Sequence, residues 1–415
     1  MEWSIVKLGD ITEVITKGTT PTSVGFKFIP EGVNFVKVES ITSDGRFLPH
    51  KFAAISEECN ESLKRSQLKE GDVLFSIAGA LGRTALVTPD ILPANTNQAL
   101  AIIRLKAGLV IDKHSLLLAL TTRVTLDQVE KSKGGVAQQN LSLGQLKGFE
   151  IPLPPIPEQK RIVAILDQAF ADIEQARAKT EQNLKNAREL FESYLQQVFS
   201  QRGEGWVESE LFEHVKFIDY RGKTPKKTEQ GLRLITAKNV RMGYLKVEPQ
   251  EFVAPESYEG WMTRGIPQKG DVLFTTEAPL ANVAQLDTDE KTVFAQRIIT
   301  MQPDQNILNS TFLKYMLMSQ PIQQLIHDKG TGATCTGIKA SLLKKIPITY
   351  PSDMNEQVEY VDVLDSLTDK VKLLESIYIQ KLSALDNLKK SILQKAFSGE
   401  LTKTLEVDTN KGAVA

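Results

Sequence analysis

Apolar and polar residues occur in short segments over about the first 150 residues of the chain. Residues 33–38 alternate as in a half-buried strand, and residues 72–77 form an apolar strand after a Gly-Asp turn. A helical pattern covers residues 113–129, and its counterpart covers residues 310–327. These short strands, turns and helices predict an α+β domain with a substantial strand content.

A different pattern begins near residue 158 and continues to residue 200, with apolar residues spaced alternately by four and three. This is the heptad seam of a coiled coil, and it returns at the end of the chain. Thr180 interrupts the first seam. The seam positions that we assign are Ile162, Leu166, Ile173, Leu184 and Leu190 in the first stretch, and Leu364, Leu367, Val371, Leu374, Leu385 and Leu388 in the second.

A helix over residues 158–200 spans roughly 60 Å, because each helical residue adds about 1.5 Å. A lone helix with such a seam must bury it. We therefore expect the two long helices to pack antiparallel as a coiled coil, with two α+β domains at opposite ends. The alternative is that each helix closes the core of its own domain.

An internal repeat covers nearly the whole chain. The matching anchors are Trp3 with Trp206, the Gly-Asp-Val-Leu-Phe stretches 71–75 and 270–274, Ile151-Pro152 with Ile346-Pro347, Gln159 with Gln357, and Phe199 with Phe397. Prolines punctuate the junction before each long helix. The predicted domains are a first α+β domain (1–155), a central long helix (156–203), a second α+β domain (204–352), a C-terminal long helix (353–402) and a flexible tail (403–415).

Composition narrows the class of protein. The 415 residues are 41% hydrophobic, which allows several domains with buried cores. The net charge of −1 excludes a polycationic coat protein but not a local basic face. Two distant cysteines suit a reducing compartment, and neither a signal peptide nor an apolar run long enough for a membrane span is evident. We expect a soluble, cytoplasmic protein.

Sequence motifs for catalysis are missing. The glycine-rich stretch 330–339 lacks the spacing of a phosphate loop, and the chain has no Rossmann-type glycine fingerprint. It also lacks the Asn/Asp-Pro-Pro-aromatic tetrapeptide of amino-methyltransferases. The four histidines are scattered without metal-ligand spacing. We therefore expect no catalytic residue, no metal site and no cofactor on this chain.

The order of a globular domain, an Ile-Pro-rich stretch, a Glu-Gln pair and a long helix, present twice, resembles the specificity (S) subunits of type I restriction–modification systems. The stretches that carry the resemblance are 149–162, 388–401, 270–274 and 276–280. It runs from Trp3 to about Leu401. The second junction, 346–351, lacks the double proline of the first.

The resemblance implies that each globular part is a target recognition domain, which reads one half of a split site in double-stranded DNA. It also implies that the helices dock two methyltransferase subunits that methylate adenine, and it leaves open whether two nuclease subunits join them. S-adenosylmethionine and ATP are expected on those partner subunits. Half-sites on one DNA face are separated by about 34–36 Å, which a rod of the expected length accommodates.

Two matching basic loops are the first candidates for DNA contact. Segment 216–227 holds five basic residues against one acidic, and its counterpart is the turn 17–21. Such residues donate hydrogen bonds to phosphates and base edges. A solvated surface turn is the alternative. The candidates in these loops are Lys17, Thr19, Thr20, Arg221, Lys223, Thr224, Lys226 and Lys227.

Further candidates lie near predicted strand ends and in the glycine-rich loops 133–140 and 329–334. They are Lys37, Gly79, Arg83, Asn97, Gln98 and Gln138 in the first copy, and Lys238, Asn239, Arg241, Thr276, Gln296 and Arg297 in the second. Asn97-Gln98 and Gln296-Arg297 occupy matching positions, and their amides suit adenine, although a structural role fits both glutamines equally. Two other function classes stay open: a self-sufficient nuclease or methyltransferase, and a two-headed scaffold for other proteins.

Overall fold

The computed structural model of the chain describes residues 3–108, 111–132, 140–200, 203–221, 224–295, 297–332 and 336–402. The chain divides into two compact units. The first consists of Met1–Lys179 together with Lys381–Ala415, and the second consists of Thr180–Gln380. Each unit therefore contains one copy of the repeated α+β domain and a part of both long helices.

The described strands of the first copy are β1 (Ser4–Lys7), β2 (Thr12–Lys17), β3 (Val33–Val36), β4 (Ala53–Ile55), β5 (Val73–Ser76), β6 (Thr84–Leu86), β7 (Ala94–Thr96), β8 (Leu100–Leu105) and β9 (Glu150–Leu153). Its helices are α1 (Leu8–Ile11), α2 (Glu57–Ser62), α3 (Lys113–Leu120), α4 (Arg123–Ser132), α5 (Leu143–Lys147) and the long α6 (Ile156–Ser200). The central antiparallel sheet has the order β2-β8-β5-β6, beside a smaller sheet β4-β3-β7 and the pair β1-β9.

The second copy has the strands β10 (Trp206–Glu210), β11 (Val215–Asp219), β12 (Lys227–Thr228), β13 (Leu232–Ile235), β14 (Val240–Arg241), β15 (Tyr244–Leu245), β16 (Phe252–Val253), β17 (Val272–Thr276), β18 (Leu280–Gln285), β19 (Val293–Phe294), β20 (Ile298–Pro303) and β21 (Pro347–Pro351). Its helices are α7 (Leu211–His214), α8 (Tyr258–Trp261), α9 (Ser310–Met318), α10 (Gln320–Asp328), α11 (Ala340–Leu343) and the long α12 (Met354–Phe397). Its central sheet, β11-β20-β17-β18, repeats the strand order of the first.

The Val-Leu-Phe runs form an inner strand of each central sheet, and both faces of that strand are covered. In β5, Val73 and Phe75 pack with residues of α3 and α4, whereas Leu74 packs on the opposite face. In β17, Phe274 and Leu273 divide between two cores in the same way. Since successive strand residues point to opposite faces, a strand covered on both sides is apolar throughout. The predicted strand at residues 72–77 is confirmed.

The helical pattern at residues 113–129 is not one helix, and in this the prediction is wrong. The structure has two helices there, α3 and α4, and its counterpart also divides into α9 and α10. In the second copy, Ser319 has an extended backbone, and Pro321 lies in the first turn of α10. Proline has no N–H to continue a preceding helix, so the chain turns at this point.

The Ile-Pro stretches are strands and not only junctions. Pro152 of β9 lies opposite Ile5 of β1, and Pro351 of β21 lies opposite Trp206 of β10. Two-stranded pairs leave an open side on every strand, which is where proline is tolerated in a sheet. The opening segment of each copy is thus joined to the segment that leads into its long helix.

Within the first unit, the beginning of α6 packs against the end of α12. Ile162 and Leu166 share a core with Phe397. Two ion pairs lie farther along, at 3.2 Å between Lys389 and Glu174 and at 2.6 Å between Arg177 and Asp386. Residue numbers rise on α6 as they fall on α12, which is the antiparallel arrangement expected from the sequence.

Within the second unit, the end of α6 packs against the beginning of α12. Leu195 of α6 and Leu364 of α12 share a core with Tyr315 of α9. Arg188 Nε lies 2.6 Å from Glu375 Oε1 across the helix pair. Each long helix therefore also packs on the domain of the other copy, so the helices do more than close their own cores.

Burial of the predicted seam follows the heptads only in part. Leu190 and Leu388 are 56% and 47% exposed, so their assignment to the seam is wrong. Beyond Ala187 the buried face of α6 moves to Phe191 and Leu195, in steps of four residues. An α-helix has about 3.6 residues per turn, so a strict seven-residue pattern drifts away from the contact. The other assigned positions are buried (Ile162, Leu166, Ile173, Leu364, Val371) or half-buried (Leu184, Leu367, Leu374, Leu385).

Candidate nucleic-acid interface

The topology of each central sheet gathers three chain segments at one end. In the first copy, β2 and β5 end where β8 begins, and Lys17 pairs with Ala101. In the second copy, β11 and β17 end where β20 begins, and Asp219 pairs with Ile299. We call these places the loop ends of the two sheets. They comprise residues 17–21, 77–83 and 97–99 in the first copy, and 219–221, 276–279 and 297 in the second.

The loop end of the first copy brings two predicted segments together. The Thr20 hydroxyl donates to Oε1 of Gln98. A Cβ on Gly18 would lie 1.8 Å from the carbonyl oxygen of Thr96, so only glycine allows this approach of the two backbones. Lys17 is exposed beside them. Lysine, hydroxyl and amide groups thus form one polar surface, to which Thr19 contributes a half-buried side chain.

Other first-copy candidates are engaged within the protein. Nη1 of Arg83 donates to the carbonyl of Ile41 at 2.8 Å, so this guanidinium holds a neighbouring loop. Nζ of Lys37 lies 4.6 Å from the centre of the Phe28 ring, in a cation–π contact. Oδ1 of Asn97 accepts from the backbone N–H of Ala99 at 3.1 Å. Gly79 is exposed with a φ of +74°, a left-handed conformation that favours glycine.

An arginine and a carboxylate form an ion pair with two hydrogen bonds at the loop end of the second copy. Arg221 donates from Nε and Nη2 to the two carboxylate oxygens of Asp219, at 2.8 and 2.6 Å. Burial opposes ionisation of Asp219, but the bonds and charge of Arg221 outweigh it and hold the pKa of this carboxyl below its ordinary value. Nη1 of Arg264 donates to the backbone carbonyl of Asp219 at 2.7 Å.

A second arginine–carboxylate pair lies at the same loop end. Nε of Arg297 is 2.9 Å from Oε1 of Glu277, and the two side chains are 49% and 43% exposed. Arg297 has a φ of +70° and lies directly before β20. The hydrogen bonds that Arg221 donates to Asp219 are the main cause that raises the pKa of Arg221, and the charge of Glu277 adds to it. Both pairs therefore contribute to one charged surface.

Two further candidates of the second copy, both lysines, contact the carboxylate of Glu251. Nζ of Lys227 is 2.7 Å from Glu251, and Nζ of Lys238 is 3.7 Å from the same oxygen. The hydrogen bond from Lys227 is the main cause that lowers the pKa of Glu251. Lys226 and Thr224 are exposed, and within the described part of the chain Lys226 makes no ion pair.

Two candidates are wrong because their side chains are buried. Asn239 is 1% exposed, accepts from the backbone N–H of Thr236 at 3.0 Å and donates to the carbonyl of Pro249 at 3.0 Å. Thr276 is 2% exposed. The guanidinium of Arg241 is half-buried and donates only weakly to an adjacent carbonyl, at 3.3 Å. The candidates Gln138, Lys223 and Gln296 lie outside the described residues.

The backbone also corrects the alignment of the two copies at the loop ends. The N–H of Thr276 donates to the carbonyl of Arg297, and the N–H of Ile77 donates to the carbonyl of Ala99, both at 2.8 Å. Arg297 therefore matches Ala99, not Gln98 as the sequence pattern suggested. Sequence reasoning also missed Glu251 and Arg264, because the groups that they bind are distant along the chain.

Two further findings concern the described residues only. No group of three or more His, Cys, Asp or Glu residues in that part of the chain is arranged to hold a metal ion. None of the helices there combines the length and the hydropathy that crossing a membrane requires.

Comparison with known proteins identifies the family. The family model described as type I restriction modification DNA specificity domain matches residues 1–184 and again residues 205–382. The type I restriction enzyme EcoBI specificity subunit of Escherichia coli is 32% identical over 177 residues, which are 42% of this chain and 36% of that protein. The putative type I restriction enzyme MjaX specificity subunit of Methanocaldococcus jannaschii is 23% identical over 426 residues, covering 96% and 94%. The chain thus spans about a third of the first relative and nearly all of the second.

Solved structures share the fold. One, described as the structural basis of complex assembly and conformational transition of the type I R-M system, has a TM-score of 0.78 at 21% identity and covers 96% of this chain and 98% of that one. The HsdS subunit from Thermoanaerobacter tengcongensis has a TM-score of 0.61 at 20% identity, covering 96% and 97%. Because the family model matches both copies and most of the sequence, the chain belongs to the specificity subunits of type I restriction–modification systems, which are non-catalytic DNA-recognition subunits.

Proposed function

We propose that the chain reads an asymmetric, bipartite sequence in double-stranded DNA, one half with each domain. The observation that carries this proposal is that the two loop ends share a backbone frame but differ in chemistry. Lys17 and Asp219 end equivalent strands, and Thr19 and Arg221 follow them two residues later. Two readers with different side chains in one chain suit a site whose halves differ.

Exposed groups at the loop ends, or a few residues after them along the chain, suit DNA in two ways. Lys17 and Lys226 are exposed and positively charged, as contacts to phosphates require. Gln98 is an exposed amide, a group that pairs with the major-groove edge of adenine. The net charge of the chain is close to zero, so its overall attraction for the DNA phosphates is weak. Basic residues of partner subunits would therefore add contacts to the DNA backbone.

The long helices are the proposed docking surface for two adenine methyltransferase subunits, which would carry S-adenosylmethionine, and for nuclease subunits where these join. In the second unit, large apolar side chains of the helices are exposed: Leu190 at 56%, Leu373 at 62% and Ile377 at 47%. Exposed apolar groups on a paired helix surface are typical of an interface with another protein.

Modified-base sequencing tests the recognition. DNA from cells that make the chain with its candidate methyltransferase partner is compared with DNA from cells that lack the chain. The expected result is methyladenine on both strands of one split motif, lost without the chain. Co-purification of the two proteins without chain-dependent methylation would contradict the proposed recognition.

Co-purification of variants tests the docking. Leu373→Asp and Ile377→Asp place a charge on exposed apolar positions, so we expect lost assembly with the methyltransferase at an unchanged melting temperature. Ser383→Asp, at an exposed polar position of the same helix, is the control. Normal assembly of both leucine and isoleucine variants would contradict docking on this surface.

A further inference from the structure

The pair of Glu277 and Arg297 is present in one copy of the repeat and replaced as a whole in the other. The two copies share the hydrogen bonds around it, because the N–H of Ile338 donates to the carbonyl of Thr276 as the N–H of Leu141 donates to that of Ile77, both at 2.9 Å. In this frame Arg297 matches Ala99, and Glu277, the residue after Thr276, matches Ala78.

The fold does not require this ion pair. The first copy forms the same sheet order and the same backbone bonds with alanine at both positions. An ion pair between half-exposed side chains adds little stability. Arg297 also has a left-handed backbone, which is unfavourable for a residue with a side chain. The fold does not need these two charges, and the backbone of Arg297 is held in an unfavourable conformation. We take this as an indication that the pair has a role in binding.

The geometry of the pair prepares the arginine for a second partner. The closest contact with Glu277 is made by Nε, and within the described part of the chain neither Nη1 nor Nη2 makes a hydrogen bond, so this end of the guanidinium can meet another group. Guanine presents two acceptors, O6 and N7, on its major-groove edge, and two parallel N–H groups of arginine match them. A carboxylate that fixes a long side chain lowers the entropy that is lost when the side chain binds.

We propose that Arg297, positioned by Glu277, reads a guanine in the half-site of the second domain. This inference rests on the proposed function. Arg221 of the same loop end is a weaker reader, because its Nε and Nη2 are both bound to Asp219. The first domain, with alanine at both positions, reads its half-site without this contact.

The test determines the sequence preference of the complete complex, formed by the full chain and its methyltransferase partner, by selection from a randomised DNA library. The wild-type motif is expected to contain a G·C pair in the half that the second domain reads. Arg297→Ala should reduce discrimination at that one pair by about 10- to 100-fold and leave the other half-site unchanged. Arg297→Lys should lose part of this discrimination while it keeps the charge, because the ammonium lacks the planar, parallel pair of donors of the guanidinium.

Two more variants separate positioning from surface charge. Glu277→Gln should relax the same base pair to a smaller extent, because the guanidinium is no longer held by a charged partner. Lys269 and Asp289 form another exposed pair, 3.3 Å apart, and Lys269 precedes β17 at the sheet end opposite the loop end. Lys269→Ala should therefore leave every position of the motif unchanged. Melting temperatures of the variants show that the fold is intact.

The outcomes distinguish the two levels of the proposal. If the wild-type complex selects a split motif but Arg297→Ala leaves it unchanged, the pair is a surface ion pair and the inference is overturned. A motif without a G·C pair in the half-site of the second domain overturns it as well. If the wild-type complex selects no motif, the proposed function itself fails, and the guanine assignment fails with it.

Discussion

Oε1 of Gln159 accepts a hydrogen bond from the backbone N–H of Asp112 at 2.8 Å, and its Nε2 donates to the carbonyl of Pro154 at 2.7 Å. In the second copy, Gln357 accepts from the N–H of Asn309 at 2.9 Å. Asp112 and Asn309 are the N-cap residues of α3 and α9. The glutamine of each Glu-Gln pair, fully buried, thus joins the start of a long helix to a helix of the domain.

Replacing this glutamine should destabilise the chain. In Gln159→Glu the buried carboxylate cannot donate to Pro154 and lies against its carbonyl oxygen. We expect a loss of about 1–3 kcal/mol in the free energy of unfolding, measured by urea denaturation. Gln175→Glu, at an exposed position of the same helix, is the control and should change stability by no more than about 0.5 kcal/mol. Equal stability of both variants would contradict a structural role for Gln159.

The elements with strong periodicity were predictable from the sequence. The Val-Leu-Phe run of β5 and the seam of α6 depend on burial, which the pattern of apolar residues records directly. Leu190 shows the limit of this reasoning, since a pattern of seven fits the sequence while the geometry of 3.6 residues per turn decides the contact. The role of Pro152 in a strand was also missed, because proline alone predicts a junction.

The loop ends were predicted as regions but not residue by residue. Basic residues near strand ends are visible in a sequence, whereas their partners are not. Glu251 binds two lysines from separate segments, and Glu277 binds Arg297 across the sheet end. Asn239 looked like a free amide in the sequence, yet neighbouring backbone groups occupy its side chain. Such choices depend on tertiary contacts that local patterns do not encode.

The packing of the long helices gives a second prediction. Leu364 is fully buried with Leu195 and Tyr315, whereas Leu373 on the same helix is 62% exposed. Leu364→Ala should destabilise the chain by about 2–5 kcal/mol, because it removes buried methyl groups and leaves a cavity. Leu373→Ala, the matched control, should cost little. Thermal and urea unfolding of both variants measure the difference, and equal stabilities would contradict the burial of Leu364.

The Gly-Asp motif predicts a pH effect that differs between the copies. Asp72 is paired with Arg104, the fifth residue of β8, through two contacts of 2.7 Å. Asp271 has instead Gln302, the fifth residue of β20, which donates at 2.7 Å. Burial raises the pKa of Asp271 above its ordinary value of 3.8. The folded state then holds the proton more tightly than the unfolded chain does.

The stability contributed by Asp271 is therefore complete below about pH 3.8 and is lost as the pH rises through the folded pKa. Gln302→Arg supplies the charge that the first copy has, so the variant should gain about 1–3 kcal/mol over wild type near pH 7 and less near pH 4. Urea unfolding at several pH values measures this difference. Arg104→Gln removes the corresponding charge from the first copy, so this variant should lose stability relative to wild type near pH 7 and lose less near pH 4. A difference that is constant with pH would contradict the role of the Asp271 charge.

Lys226 gives a prediction about DNA binding that is independent of base identity. It is exposed, follows Arg221 of the second loop end by five residues along the chain, and makes no ion pair within the described residues. If it contacts a phosphate, Lys226→Gln should weaken binding of the complex to all sequences alike. The slope of log K against log salt concentration should become less steep by about 0.9, because one fewer counterion is released. Lys269→Gln, at the opposite end of β17, is the control and should leave the slope unchanged. A variant slope equal to that of wild type would place Lys226 away from the DNA backbone.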